Sequence, residues 1–299
     1  MFDVIPSMQC GSVELKLDTP KIMAIVNITP DSFSDGGKLS TVQQAIEFAL
    51  QQIELGADIL DIGGESTRPD ANEISVQEEL ARVIPVIEGL RGKIRIPISI
   101  DTSKPEVMRA AVAAGAGLIN DVYALRQEGA LEAAAELNVP VCIMHMLGKP
   151  KTMQQEVRYE DVLVQVRQFL TERIFACEMA GIAKKNIIID PGFGFGKHLE
   201  HNLKLLANLD YFKQLGVPVL AGMSRKSMIG LMTGRNLEQR MVGSVAAAML
   251  AVQNGASIIR VHDVAESKDA LAVLSAVSAY KTKTAEKSNK PSILWPDED

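Results

Sequence analysis

Eight times along residues 21–280 the chain repeats one pattern: a short apolar run, a polar or glycine-bearing loop, then an amphipathic stretch. The apolar runs fall at 22–28, 59–62, 96–100, 118–119, 141–144, 187–189, 217–221 and 258–261. Several are rich in Val and Ile and barely alternate, as strands of a parallel sheet buried on both faces should be. Helix-like stretches lie between them, at 41–55, 75–90, 105–114, 130–137, 159–180, 203–215, 237–253 and 264–279. Ser40 and Ser75 stand where they can cap helix starts, with Gln43 and Glu78 three residues on. Pro105 suits a first helical turn, and Gly56, Gly115, Gly181, Gly216 and Gly255 follow helices, where a left-handed cap is expected. Eight strands alternating with eight helices fit a closed (β/α)8 TIM barrel better than an open doubly wound sheet.

The pattern sets the domain organisation. A barrel of this kind commonly takes about 250 residues as one domain, so residues 1–280 read as a single unit. Residues 2–17 place Gly11 between two short extended segments and read as a hairpin closing the barrel bottom. Residues 281–299 lose the apolar periodicity and read as a disordered tail carrying the only tryptophan, Trp295. The amino-terminal segment lacks the basic-then-apolar order of a signal peptide, and no apolar run reaches the ~20 residues of a membrane span. Cys10, Cys142 and Cys177 are odd in number and far apart, so a reducing cytoplasm is expected. A formal net charge of -6 argues against a general nucleic-acid binder but allows a local basic pocket.

In a parallel barrel the chemistry sits at the carboxyl ends of the strands. Those positions here are Asn27, Asp61, Asp101, Asn120 with Asp121, His145, Asp190, Ser224 to Lys226, and Arg260 with His262. A core needs no such ring, so the set points to a site. Two following loops are long: N-I-T-P-D-S-F-S-D-G-G at 27–37 and D-I-G-G-E-S-T-R-P at 61–69, which brings Arg68 within reach of an anion. Loops of that length with their own charge pattern favour a functional lid. D-P-G-F-G-F-G-K at 190–197 has the wrong spacing for a phosphate-binding loop. Its small residues read instead as room for a flat ligand beside Asp190 and Phe195. Arg225, Lys226, Arg260 and His262 gather at the last two strand ends, the usual anion site of this fold. His198 and His201 bracket Glu200 at a helix entry and read as solvated.

Taken together these strings, with I-N-D-V at 119–122, M-H-M at 144–146, G-M-S-R-K-S at 222–227 and R-V-H-D at 260–263, resemble the dihydropteroate synthase family. The resemblance covers about residues 12–280. It implies a (β/α)8 barrel that condenses 6-hydroxymethyl-7,8-dihydropterin diphosphate with 4-aminobenzoate, giving 7,8-dihydropteroate and pyrophosphate in folate biosynthesis. By the same resemblance Asp101, Asn120, Asp190 and Lys226 hold the pterin, with Met144, Phe195, Gly222 and Arg260 lining its slot. Asn27, Arg68, Arg260 and His262 would hold the diphosphate, with Asn27 also on Mg2+. Phe33, Thr67, Pro69, Lys226 and Ser227 would form the 4-aminobenzoate site, where sulfonamides compete. The catalytic set it implies is Asp35, Asp101, Lys226, Arg260 and His262, and the family is usually a homodimer.

Three other readings share parts of this pattern. A methyltetrahydrofolate-dependent methyltransferase keeps the Asp–Asn–Asp slot but has no use for an anion cluster. A non-catalytic pterin-binding paralogue should have lost residues of the two long loops, yet Asn27, Asp35, Thr67 and Arg68 are all present. A sugar-phosphate aldolase or isomerase needs a Schiff-base lysine or a Glu/His acid–base pair, and Lys226 alone does not supply it.

Overall fold

The computed structural model describes residues 7–28, 41–66, 73–148 and 157–288. Its main sheet has eight parallel strands: β3 (Lys21–Asn27), β4 (Ile59–Gly63), β5 (Ile98–Asp101), β6 (Leu118–Asp121), β7 (Val141–Met144), β8 (Ile187–Asp190), β9 (Leu220–Ala221) and β10 (Ile258–Val261). They run in the order β8-β7-β6-β5-β4-β3-β10-β9, and a parallel bridge from Ile189 to Val219 joins the two ends. The Ile189 amide donates to the Pro218 carbonyl at 3.0 Å across that seam, so the sheet is a closed barrel rather than an open one. β9 is shorter than the apolar run at 217–221 because Pro218, lacking an amide hydrogen, cannot donate to a ladder.

Nine helices surround the barrel among the described residues: α1 (Val42–Glu54), α2 (Val76–Leu90), α3 (Pro105–Ala114), α4 (Ala130–Leu137), α5 (Val162–Met179), α6 (Leu199–Ala207), α7 (Ser227–Thr233), α8 (Met241–Gln253) and α9 (Val264–Ser288). Their ends follow local chemistry. Thr41 caps α1 and forms a reciprocal capping box with Gln44, one residue later than the expected Ser40–Gln43 pair. Ser75 caps α2 as expected, and Pro105 opens α3. The five glycines expected after helices all have positive φ. The helix expected at 203–215 divides at Asn208: its side-chain amide takes the Lys204 carbonyl at 2.9 Å, and the chain continues as a 3-10 segment, Leu209–Leu215. The expected domain boundary at 280 falls inside α9, because a stretch of Lys, Ala and Glu can stay helical without an apolar stripe. Residues 289–299 of the expected tail lie outside the described residues. No described helix is long and apolar enough to cross a membrane.

The expected hairpin is present. β1 (Ser7–Cys10) pairs antiparallel with β2 (Val13–Lys16). Its buried residues Met8, Cys10 and Leu15 join Met23, Ile59, Leu118, Cys142, Ile188, Leu220 and Ile258, one inward residue from most of the barrel strands. This apolar layer fills the barrel bottom. Gly117 lets the hairpin approach: a Cβ there would lie 2.4 Å from the Cys10 carbonyl carbon. One layer up, those strands present Asp61, Asn120, Met144, Asp190 and Arg260, with Ser99 of β5 level with Asp61. Strand alternation therefore turns an apolar floor into a polar site within two residues.

Candidate active site

Arg260 on β10 organises the polar layer. Its Nε donates to Asp61 Oδ2 at 2.6 Å and one terminal nitrogen donates to Asp101 Oδ2 at 2.6 Å. Asp61 Oδ2 also accepts from Asn120 Nδ2 at 3.0 Å. That bond fixes the Asn120 amide, leaving its oxygen and second N–H for another partner. Asp61 thus orders two expected ligand-binding residues while fully buried. Its Oδ1 and Ser99 Oγ, which share a register position on β4 and β5, are buried and have no partner among the described residues.

Charge balance shapes the titration. Asp61 and Asp101 share a single guanidinium, so Asp101 is not fully compensated. Burial raises its carboxyl, Arg260 pulls it back and Asp61 pushes it up again, giving about 7. Burial works against the Arg260 charge, but the two carboxylates outweigh it and hold the guanidinium even more firmly protonated. Asp190, at the end of β8, caps the next turn through Gly192 N at 2.7 Å. Burial raises its carboxyl too, opposed mainly by Lys226.

Lys226, at the start of α7, reaches back over the β8 loop. Its Nζ donates to the Phe193 carbonyl at 2.6 Å and lies 4.5 Å from the Phe195 ring centroid. Burial lowers it to about 8, with Asp190 opposing. Phe195 and Met144 pack with Val122 and Met146 in one small apolar cluster beside this polar layer. The result is a flat wall next to a row of acceptors, with a cation above the wall. Gly222 belongs to the same enclosure: a Cβ there would sit 3.6 Å from Arg260 Cβ.

Asn27 ends β3 half-buried, with its amide oxygen beside Gly63 on the neighbouring strand. His262 follows β10. Its Nδ1 lies 3.0 Å from Ser224 Oγ, which also accepts from the His262 backbone N–H at 3.2 Å. Ser224 thus fixes the orientation of His262 through both its backbone N–H and its ring. Ser227, the first residue of α7, is exposed. Phe33, Asp35, Thr67, Arg68 and Pro69 lie outside the described residues.

Some expectations are corrected. Arg225 does not join an anion cluster: its guanidinium forks onto Asp263, at 3.2 and 2.5 Å. Asp121 shapes a turn, accepting from Tyr123 N at 2.8 Å and Leu125 N at 2.7 Å. The glycines of 190–197 do not mainly make room for a ligand. A Cβ at Gly192 would lie 1.9 Å from the His145 carbonyl oxygen, and one at Gly196 2.6 Å from Leu147 Cβ. Both glycines instead admit the loop that follows β7. His198 is exposed as expected, and its backbone N–H is taken by His201 Nδ1 at 3.1 Å; His201, also expected to be solvated, instead has a side chain only 15% exposed and packs edge-on against Tyr159. Residues given no individual role from sequence also prove central. Besides Asp61, they are Lys104, which bridges Glu65 and buried Glu79 at 2.6 Å each, and the buried pair Lys197–His145. Their signal was present in the motif strings, where Glu65 and Lys197 stand among the quoted residues.

With this geometry in view, comparison with known proteins is decisive. A family profile described as "Pterin binding enzyme" matches residues 23–262. Dihydropteroate synthase of Escherichia coli (strain K12) is 52% identical over 267 residues, covering 89% of this chain and 95% of that protein. The chain belongs to the dihydropteroate synthase family. The structure of the Xanthomonas albilineans family member with 4-aminobenzoic acid superposes with a TM-score of 0.88 at 58% identity, covering 92% of this chain and 99% of that one. A Yersinia pestis member in complex with a sulfonamide drug gives 0.89 at 47% identity, covering 91% and 99%. The match therefore extends over the whole barrel, including every strand end that builds the polar layer.

Proposed function

We propose that this chain condenses 6-hydroxymethyl-7,8-dihydropterin diphosphate with 4-aminobenzoate, forming 7,8-dihydropteroate and pyrophosphate. The observation that carries the reading is the acceptor-rich layer of Asp61, Asp101, Asn120 and Asp190 beside the flat wall of Met144 and Phe195. A pterin offers an edge of N–H donors next to ring acceptors. Carboxylates take the donors, Lys226 donates to a ring acceptor and the Asn120 amide can serve either kind of group, and a ligand lacking that edge would leave buried polar atoms unpaired.

The diphosphate then lies toward Asn27, Arg260 and His262. The 4-aminobenzoate meets Lys226 and Ser227, with Phe33, Thr67, Arg68 and Pro69 completing the two subsites from the long loops. The aromatic amine is already a neutral nucleophile, so attack requires no strong base. The C–O bond from the exocyclic CH2 to the diphosphate breaks, the amine nitrogen bonds to that carbon, and the nitrogen loses a proton. The pterin ring delocalises positive charge at the CH2, which favours an SN1-like order with bond breaking ahead. Asp101 is placed to stabilise that charge, with Asp35 assisting, and Arg260 and His262 to stabilise charge on the leaving oxygens. A preorganised donor of that kind contributes about 3 kcal/mol.

Mg2+ fits the Asn27 position. The amide oxygen of half-buried Asn27 is a hard donor, and this ion is commonly held by one or two protein groups plus substrate phosphates. When bound it would neutralise charge on the diphosphate. Sulfonamides, which resemble 4-aminobenzoate, would compete at Lys226 and Ser227. The cytoplasm suits three unpaired, buried thiols. A homodimer would form through α7 and α8.

The test is pyrophosphate release from the pterin diphosphate with Mg2+ present. Release that requires 4-aminobenzoate is the expected result. Pterin binding with no release would sink the catalytic reading.

A further inference from the structure

We propose that Lys197 is the positioning residue of the pterin slot: its ammonium welds the β7 and β8 loops into one wall and so sets the place of Phe195 and Lys226. The inference rests on the reading above, in which those two residues line the slot. Lys197 is only 3% exposed, and a buried ammonium needs a full set of partners. Among the described residues it forms no ion pair with a carboxylate. Its Nζ reaches His145 Nδ1 at 2.9 Å, the His145 carbonyl at 3.3 Å, the Gly192 carbonyl at 2.8 Å and the Phe195 carbonyl at 3.0 Å. All four acceptors are protein groups, two on the residue after β7 and two in the β8 loop. Burial pushes the Lys197 amine well below its ordinary value, with Asp190 opposing, and its N–H groups are used internally rather than offered to a ligand.

The surroundings suit that task. Burial, reinforced by Lys197, holds His145 down at about 2, so its ring is neutral and Nδ1 accepts. The ring is kept edge-on against Phe169, with centroids 4.9 Å apart. Tyr159 Oη donates to the Gly196 carbonyl at 2.9 Å, and Asn202 accepts from Gly194 N at 2.7 Å. Between Gly192 and Gly196, Lys197 and Lys226 hold alternate carbonyls: Gly192 and Phe195 on one ammonium, Phe193 on the other. Freeing the first set lets Phe195 move, and the cation resting on its ring moves with it.

Four full-length variants test this by calorimetric binding of 6-hydroxymethyl-7,8-dihydropterin diphosphate and by steady-state kinetics. Lys197→Met should weaken pterin binding at least tenfold and raise the KM for 4-aminobenzoate as well, because Lys226 moves with the slot. His145→Leu removes the side-chain acceptor and should weaken pterin binding about threefold or more. His145→Asn, whose amide oxygen can stand where Nδ1 was, should recover to within twofold of the unaltered protein. A folded Lys197→Met protein with pterin affinity within twofold of normal overturns the proposal. So does a His145→Asn protein no better than His145→Leu, and that pair decides the matter if Lys197→Met does not fold. Asp190→Asn is the control for the slot itself. Normal pterin binding by that variant would remove the site reading, whatever Lys197 does.

Discussion

Asp101 carries the residue-scale consequence most open to measurement. Its carboxyl is raised to about 7 by burial, with Arg260 opposing and Asp61 adding. A folded chain that keeps this proton up to about 7, against 3.8 for the ordinary group, gains stability at low pH, and the gain fades as pH rises between those values. Ligand binding works the other way. Pterin N–H donors need the ionised carboxylate, so binding should tighten as pH rises toward 7. At pH 6 it should release roughly one proton, falling to near none at pH 8. Calorimetry in two buffers of different ionisation enthalpy reads that count directly, and a value constant from pH 6 to 8 would place the ionisation elsewhere. The residue scale also marks where sequence was least informative. Arg225 and Lys226 are adjacent, yet one folds onto Asp263 and the other onto the β8 loop. Arg225 sits at φ 57, a turn that sends the two side chains apart. Nothing in the string S-R-K-S states that.

At the scale of elements, the strand ends were legible because one-in-two alternation and the barrel rule together select Asp101, Asn120, Asp190 and Arg260. Helix ends were legible to within a residue or so where a cap residue dictated them, as at Ser75 and Pro105. They were not where a side chain from the helix itself closed it, as Asn208 does after α6, nor where a helix is as short as α7. The glycine run of the β8 loop was noticed for the right residues and the wrong neighbour. Gly192 and Gly92 make a matched pair, with φ of +71 and +74. A Cβ at 92 meets nothing within 4 Å, whereas one at 192 meets the His145 carbonyl oxygen at 1.9 Å. Gly92→Ala should cost about 1 kcal/mol, from backbone strain alone. Gly192→Ala should cost roughly 3 kcal/mol or more, because backbone must shift as well. Urea unfolding compares them, and equal losses would mean that the two loops are not packed as described.

On the scale of the whole molecule, the outer surface is uneven. Leu231 on α7 and Val242 on α8 are 68% and 72% exposed, and Val273 and Tyr280 continue the apolar character along α9. Such a face is the expected seam of the proposed homodimer. Replacing Leu231 and Val242 together by Glu should yield a monomer by sedimentation equilibrium while pyrophosphate release persists, since the polar layer is built within one chain. A dimer that survives both changes would place the contact on another face.

The hairpin at the barrel bottom has a consequence for traffic. With Met8, Cys10 and Leu15 stoppering that end, the vessel has one mouth. Whatever reaches Asn120 and Asp190 passes the same rim on the way in and on the way out. On the proposed reading the pterin ring, seated deepest, must enter before the 4-aminobenzoate stacked above it.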